Sequence, residues 1–201
     1  DRRFQAILPL RGKVLNVANS TKSKINDNQQ ISDLIQALGC GSGDLYNESG
    51  LRYEKIIIMT DADVDGAHIA SLLITFFHEE IPEIIDQGKL FLAVPPLYKI
   101  SQGKKVFYAK DDHDRDEMIK HHLDETKKIE INRFKGLGEM MPAQLKETTM
   151  LPGNRTLLRI VNPEDRKKVS KTVVSNLMGN KPELRFEFIR EKANLYDNIR
   201  N

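Results

Sequence analysis

The chain has 201 residues, with 31 Lys and Arg against 29 Asp and Glu and a formal net charge of +2. This near balance excludes a polycationic tail, so any nucleic-acid surface must be a local basic patch. The single cysteine, Cys40, excludes an internal disulfide and favours a reducing compartment. No apolar run is long enough to span a membrane, and the basic start lacks a signal-peptide core. We therefore expect a cytoplasmic protein without a membrane partner.

The first 88 residues predict strands and helices in alternation. Helical spacing of Ile31, Leu34, Ile35 and Leu38, followed by Gly39, predicts a short capped helix. Pro82 is expected to break or kink the long apolar helix that contains it. In chain order we predict a buried strand, a polar connector, the short helix, an isoleucine-rich strand and the apolar helix, at 4–10, 18–30, 31–38, 51–60 and 67–88.

The remaining residues predict shorter elements. Asn162 is expected to cap a helix that Pro163 starts. The inward stripe of that helix is predicted to be Val169, Val173, Val174 and Leu177. In chain order we predict a strand, its hairpin partner, a polar helix, a strand, a helix, a strand and two helices, at 89–100, 105–109, 111–123, 127–134, 141–150, 156–161, 162–179 and 182 to about 195.

The order of these elements predicts an α/β fold. Strands alternating with helices favour a small parallel sheet flanked by helices. The proline pair and hairpin near residues 95–110 predict a boundary. We place it between a core at 1–108 and an α+β tail at 109–201.

The most informative stretch is DADVDG, in which Asp61, Asp63 and Asp65 alternate after the isoleucine-rich strand. The same spacing begins a calcium-binding EF-hand loop. An EF-hand requires a Glu at position 12, which here is Leu72, while position 9 is Ile69. The preceding segment is also a predicted strand where an EF-hand has a helix. These differences argue against a calcium loop.

Two other interpretations of DADVDG remain. A strand followed by D-x-D also begins aspartyl-phosphate phosphatases, in which the first aspartate is the nucleophile. Against this, Asp65 adds a charge where that pattern has a neutral residue. Capping of the following helix explains one or two of the three aspartates.

Clustered carboxylates repel one another unless a cation compensates their charge. Mg²⁺ suits a site with few protein oxygen ligands, because it keeps several waters and shares its other positions with phosphate oxygens. In an extended segment Asp61 and Asp63 project from the same face, whereas Asp65 lies nearer the helix. The motif therefore indicates Mg²⁺-dependent phosphoryl chemistry.

Four stretches of the sequence are informative together: PLRGKVLN at 9–16, IIIMTDADVDGAHIASLLITFF at 56–77, PPLYKI at 95–100 and RFKGLGEMMPAQLKETTM at 133–150. These blocks resemble the B subunit of bacterial type IIA DNA topoisomerases, occur in the family's order and extend over nearly the whole chain. The ending LMGNKPELRFEFIREKAN is more similar to topoisomerase IV than to gyrase. The resemblance implies a Toprim domain followed by a tail near the DNA gate.

The resemblance also implies roles for individual residues. Asp61 and Asp63 match the family's Mg²⁺-binding aspartates, with Asp65 supporting them. The family's E-G-D-S-A block, whose glutamate completes the site, has no match in the chain, which begins at Asp1 without a methionine. We therefore expect a piece of a longer protein that is inactive alone. ATP would act only through the ATPase region of the full subunit.

The resemblance implies double-stranded DNA and the topoisomerase A subunit as partners, in a chromosome-associated heterotetramer. The A subunit carries the nucleophilic tyrosine. Basic pairs that flank a glycine allow the backbone to approach phosphates. Without the resemblance, each pair suits an ordinary solvated face. The expected DNA-binding residues are Arg11, Lys13, Asn16, His68, Arg133 and Lys135. A non-catalytic DNA-binding or scaffold module remains the alternative function.

Overall fold

The computed structural model describes residues 1–124 and 126–197, with side chains described as far as residue 192. The strands are β1 Ile56–Ile58, β2 Leu90–Val94, β3 Tyr98–Gln102, β4 Lys105–Ala109, β5 Glu130–Arg133 and β6 Thr156–Arg159. The α-helices are α1 Lys22–Asn26, α2 Gln29–Leu38, α3 Val64–Glu80, α4 Pro82–Asp86, α5 Asp112–His122, α6 Pro142–Leu145, α7 Lys167–Met178 and α8 Pro182–Asp197.

The chain forms two compact units, each built from separate segments of the sequence. The helical unit consists of Asp1–Glu54, Ser71–Lys89 and Val161–Asn201. The sheet unit consists of Lys55–Ala70 and Leu90–Ile160. From the sequence we predict two consecutive domains, at 1–108 and 109–201. That division stays a prediction.

The first sheet of the sheet unit has the strand order β1-β2-β6. β1 pairs with β2 in parallel, with Ile56 opposite Leu90 and Ile58 opposite Leu92. β6 pairs with β2 antiparallel, so the sheet is mixed. The predicted α/β fold with a small sheet is confirmed. Its parallel part is the pairing of β2 with β1, the strand that precedes DADVDG.

The second sheet has the strand order β4-β3-β5, and both pairings are antiparallel. The prediction of one strand at 89–100 was wrong, because Pro95 and Pro96 separate β2 from β3. Proline has no N–H to donate to a sheet ladder, so the strand cannot continue through this pair. The hairpin return predicted at 105–109 is confirmed as β4. The buried centre of the hydrophobic cluster on this sheet consists of Tyr98, Ile100 and Ala109.

In the helical unit, local capping chemistry defines the first helices. Asn28 caps α2 by accepting a hydrogen bond from the backbone of Ile31, and Gly39 ends it with a left-handed φ of 79°. The predicted connector at 18–30 contains α1, which Thr21 caps. Cys40 is buried with a free thiol, and burial raises its pKa.

Two predictions about apolar segments were wrong. The run at 4–10 forms no strand, and Phe4 is 72% exposed. An apolar run needs paired backbone partners to become a strand. The helix predicted at 162–179 begins only at Lys167, after a 3₁₀ turn at Glu164–Arg166. Val169 is 60% exposed, so it does not belong to an inward stripe.

The other predicted elements form with bounds that differ by a few residues. The strand predicted at 51–60 is limited to β1, and Pro82 separates α3 from α4 within the predicted helix at 67–88. The helix at 141–150 is α6 followed by a π turn at Lys146–Met150. Within residues 1–124 and 126–197, no helix is both long enough and apolar enough to cross a bilayer.

Candidate metal and nucleic-acid site

The three aspartates lie shortly after the parallel strand β1, two of them in its connection to α3 and one in the first turn of α3. β1 ends at Ile58 and α3 begins at Val64, so Asp61 and Asp63 precede the helix while Asp65 is in its first turn. All three residues are exposed. Ligands of α/β folds bind beyond the carboxyl ends of parallel strands. The connection therefore has the position of a ligand site.

Asp63 is the N-terminal cap of α3. Its Oδ1 accepts a hydrogen bond from the backbone N–H of Gly66 at 2.7 Å. Its own carbonyl accepts the first helical hydrogen bond, from the N–H of Ala67 at 3.0 Å. Capping thus accounts for one oxygen of Asp63. Oδ2 accepts no hydrogen bond from any described residue, and it stays available to a cation.

Asp61 contacts a loop that lies far away in sequence. Its Oδ1 accepts a hydrogen bond from the backbone N–H of Leu137 at 2.7 Å. Gly136 packs against the same carboxyl group, since a Cβ added there would lie 3.0 Å from Asp61 Cγ. The RFKGLGEM block therefore contributes directly to the surroundings of the first aspartate.

Buried residues hold both ends of this loop. Phe134 and Met140 are buried, and the N–H of Phe134 donates to the carbonyl of Leu97 at 2.8 Å. Within the loop, Glu139 Oε2 accepts a hydrogen bond from the N–H of Lys135 at 2.8 Å. Glu139 thus caps the turn, and the N–H of Leu137 is directed to Asp61.

The chemistry of these groups fits Mg²⁺ better than a metal that needs a full protein cage. Among the described residues, no group of three or more His, Cys, Asp and Glu side chains is arranged to hold a metal ion. Mg²⁺ is typically held by one or two carboxylates, with waters and substrate phosphates completing its shell. Asp61 and Asp63 provide such a pair. Asp65 takes part in a contact of its own.

The N-terminal DNA-binding candidates lie in the helical unit. Arg11 is exposed, and its carbonyl accepts a hydrogen bond from Gln30 Nε2 at 2.6 Å. Lys13 is also exposed and takes part in a contact of its own. Asn16 Nδ2 donates to the carbonyl of Met178 at 2.8 Å, so this amide group is engaged at the end of α7. Its role on DNA stays a prediction.

The other candidates lie in the sheet unit. His68 and Lys135 are exposed, on α3 and on the loop that contacts Asp61. Arg133 is exposed at the end of β5, with its guanidinium 5.9 Å from the centre of the Tyr98 ring. Lys135 is thus two residues from the Leu137 amide that binds Asp61.

Sequence reasoning missed the cluster around Tyr98. The Tyr98 hydroxyl donates to Asp112 Oδ1 at 2.7 Å, and Arg115 binds the same oxygen at 2.6 Å. The Arg115 guanidinium also lies 4.9 Å from the centre of the Tyr98 ring. The hydrogen bond between Tyr98 and Asp112 lowers the pKa of Asp112 and raises the pKa of Tyr98. The only sequence signal was an acidic helix start, which indicates capping alone.

Comparisons with known proteins agree with this architecture. Residues 1–93 match the Toprim domain family, and residues 126–190 match the family described as DNA gyrase B subunit, carboxyl terminus. The chain is 60% identical to the B subunit of DNA topoisomerase 4 from Bartonella bacilliformis over 199 residues, which cover 99% of the chain. The corresponding protein of Caulobacter vibrioides is 58% identical over 193 residues, or 96% of the chain.

A gyrase relative is somewhat less similar. The B subunit of DNA gyrase from Thermotoga maritima is 50% identical over 193 residues, which cover 96% of the chain and 30% of that protein. The chain spans 29% of the Bartonella protein and 28% of the Caulobacter protein. The higher identities confirm the closer resemblance to topoisomerase IV. The chain therefore belongs to the B-subunit family of type IIA DNA topoisomerases, with a Toprim domain and a gyrase B carboxyl-terminal segment.

Proposed function

We propose that the chain is the Mg²⁺-binding DNA-gate part of an ATP-dependent type IIA topoisomerase. In this role it supports reversible cleavage and religation of both DNA strands by the tyrosine of an A subunit, which relaxes and decatenates DNA. The observation that carries the proposal is the pair of carboxylates, Asp61 and Asp63, at the carboxyl end of β1. We infer DNA as the substrate from the family to which the chain belongs.

Asp61 and Asp63 would hold the ion through the oxygens that the protein leaves uncommitted. Both Oδ1 atoms already accept backbone hydrogen bonds, which orient the two carboxyl groups. When bound, Mg²⁺ supplies positive charge that stabilises the phosphate and the 3′ oxygen as the tyrosine displaces it. Asp65 would add negative charge nearby.

The basic residues would position the DNA backbone. Arg11 and Lys13 are exposed beside Gly12. Lys135 is exposed on the loop that contacts Asp61, and Arg133 is exposed two residues before it. Contacts of Lys and Arg with phosphates fix the register of DNA without reading its sequence. Asn16 and His68 would also contact DNA. The partners are double-stranded DNA and the A subunit, in a cytoplasmic heterotetramer.

A chimera tests the proposal. The chain replaces the matching segment of the Bartonella protein, to which it is 60% identical, and the chimera is mixed with the A subunit of that enzyme. We expect DNA cleavage that requires Mg²⁺ and falls by at least about 100-fold when Asp61→Asn removes one ligand charge.

The alternatives give different results in the same assay. Cleavage that survives Asp61→Asn would support a non-catalytic DNA-binding or scaffold module. Release of inorganic phosphate from small phosphoesters would instead support an aspartyl-phosphate phosphatase. The matched control is Asp44→Asn, which removes an exposed carboxylate outside DADVDG and should leave cleavage unchanged.

A further inference from the structure

The loop Lys135–Glu139 contacts the metal-site candidate through backbone atoms of Gly136 and Leu137. The N–H of Leu137 donates to Asp61 Oδ1 at 2.7 Å, and the Cα of Gly136 lies against the Asp61 carboxyl group. The two partners are 76 residues apart in sequence. This hydrogen bond holds the Asp61 side chain in place, and the loop itself adds no metal ligand through it.

The loop is built to present that N–H group. Besides the Glu139 cap, the N–H of Glu139 donates to the carbonyl of Gly136 at 3.2 Å, and the N–H of Met140 donates to the carbonyl of Leu137 at 3.1 Å. These bonds form the 3₁₀ turn Leu137–Glu139. The first N–H of such a turn has no partner within it. In this structure that partner is Asp61.

Apolar packing holds the loop against the start of DADVDG. Ala62 lines a small cleft whose other walls come from the proline pair and from the loop. The buried side chains of Phe134 and Met140 fix both ends of the loop in that cleft.

We propose that the backbone of Gly136 and Leu137, in the loop Lys135–Glu139, is a positioning element of the metal site. This inference rests on the proposed function. The amide of Leu137 holds Oδ1 of Asp61, and Gly136 limits the movement of the carboxyl group, so Oδ2 is directed to the cation. Partners of this kind typically change metal affinity by about 10- to 100-fold.

Two variants of Leu137 separate its N–H group from its side chain. Leu137→Pro deletes the N–H, and proline is tolerated at the first residue of a helical turn. The preceding Gly136 is extended, with φ −165° and ψ 172°, which is the conformation that a following proline requires. Leu137→Ala keeps the N–H and removes most of the side chain. We expect Leu137→Pro to bind Mg²⁺ about tenfold more weakly than the wild type. Leu137→Ala should bind Mg²⁺ as the wild type does.

Two glycines of the same loop give a second matched pair. A Cβ at Gly136 would lie 3.0 Å from Asp61 Oδ1, which is tight enough to displace the carboxyl group. A Cβ at Gly138 would meet no atom within 4 Å. We expect Gly136→Ala to shift the carboxyl group by a few tenths of an ångström. Mg²⁺ binding should then weaken by about threefold, because this shift approaches the limit of about 0.5 Å within which site geometry must be held. Gly138→Ala should bind Mg²⁺ as the wild type does.

The experiment is a titration of the 201-residue chain with Mg²⁺ alone, followed by the NMR shifts of the amides near Asp61. Hydrogen exchange of the Leu137 amide provides a readout that needs no activity. Exchange should be faster in Asp61→Ala, and Mg²⁺ should slow exchange in the wild type, because coupling between two contacts is reciprocal.

The outcomes are distinct. If the wild type binds Mg²⁺ and both matched pairs bind it equally, the inference is wrong and the proposed function stands. If the wild type shows no Mg²⁺-dependent shift of the amides near Asp61 at any concentration tested, the metal site itself is wrong and the inference fails with it. Weaker binding in Leu137→Pro and Gly136→Ala, with folded spectra for all variants, supports the inference.

Discussion

Gly66 lies so close to Asp61 that the backbone leaves no room for a side chain. A Cβ at Gly66 would lie 2.8 Å from the Asp61 carbonyl carbon and 3.0 Å from the Asp61 nitrogen, and it would collide with the carbonyl oxygen. The last residue of DADVDG is therefore a glycine for steric reasons. The close approach places the first turn of α3 directly against the aspartate that precedes it.

We expect Gly66→Ala to destabilise the fold by about 3 kcal/mol or more, because the clash is with backbone and cannot be relieved by a rotamer change. Urea unfolding of the two proteins measures the difference. Gly138→Ala is the matched control, since its Cβ meets open space. The control should be neutral or stabilise slightly, because alanine reduces the entropy of the unfolded chain. Equal stabilities for the two variants would contradict the steric explanation.

Asp63 combines two roles that substitutions can separate. Its Oδ1 caps α3 through the N–H of Gly66, and its charge is proposed to bind Mg²⁺. Asn caps helices about as well as Asp, whereas Ala does not. We therefore expect Asp63→Asn to change the free energy of unfolding by only a few tenths of a kcal/mol, while Asp63→Ala costs about 1 kcal/mol. Thermal unfolding without metal measures both.

The metal role of Asp63 predicts the opposite grouping. Asp63→Asn and Asp63→Ala should both weaken Mg²⁺ binding by about tenfold, because each removes the carboxylate. Calorimetric titration with Mg²⁺ measures this. Wild-type affinity in Asp63→Asn would assign the residue to capping alone.

Residue patterns predicted the local chemistry of DADVDG because all its determinants lie within a few positions. The isoleucines before Asp61 and the glycine after Asp65 indicate a strand end and a helix start. The hydrogen bond from Leu137 to Asp61 spans 76 residues, and no periodicity or spacing reveals it. The resemblance selected both blocks, yet it did not show that they touch.

The wrong predictions about the fold also concern features that depend on residues distant in sequence. The apolar run at 4–10 has the composition of a strand, but strand formation requires a neighbouring backbone that composition does not specify. The pair Pro95 and Pro96 was visible in the sequence, and the missing N–H groups explain why β2 and β3 belong to different sheets. Exposure of Val169 likewise depends on packing partners and not on helical spacing.

The hydrogen bond between Tyr98 and Asp112 predicts how stability depends on pH. It lowers the pKa of Asp112 from its ordinary 3.8, so its stabilisation is present above about pH 4 and is lost as pH falls through the lowered value. It raises the pKa of Tyr98 from its ordinary 10.0, so stabilisation is present below about pH 10 and is lost as pH rises through the raised value.

Tyr98→Phe tests this dependence, because it removes the hydroxyl while keeping the ring that Arg115 and Arg133 contact. The wild type should exceed the variant in stability mainly between about pH 4 and 10, and the difference should shrink outside that range. Urea unfolding across the pH series measures the difference. Tyr108→Phe on β4 is the control, and a pH-independent difference for Tyr98→Phe would contradict the assignment.

Arg11 provides a test of the DNA surface that does not depend on cleavage. A protein that neutralises phosphates releases counterions, so the logarithm of its DNA affinity falls linearly with the logarithm of salt concentration. Each lost phosphate contact reduces that slope by about one. We expect Arg11→Ala to reduce the slope by this amount on double-stranded DNA, while Arg11→Lys keeps it because the charge remains.

Lys120→Ala is the matched control for Arg11. Lys120 is exposed on α5, outside the residues predicted to bind DNA, so its removal should leave the slope unchanged. Fluorescence anisotropy with a labelled duplex over a series of salt concentrations measures all four proteins. The residue that forms the turn here is Gly12, with a left-handed φ of 73°. Substitution of Arg11 does not change this glycine. A slope identical in wild type and Arg11→Ala would remove Arg11 from the DNA surface.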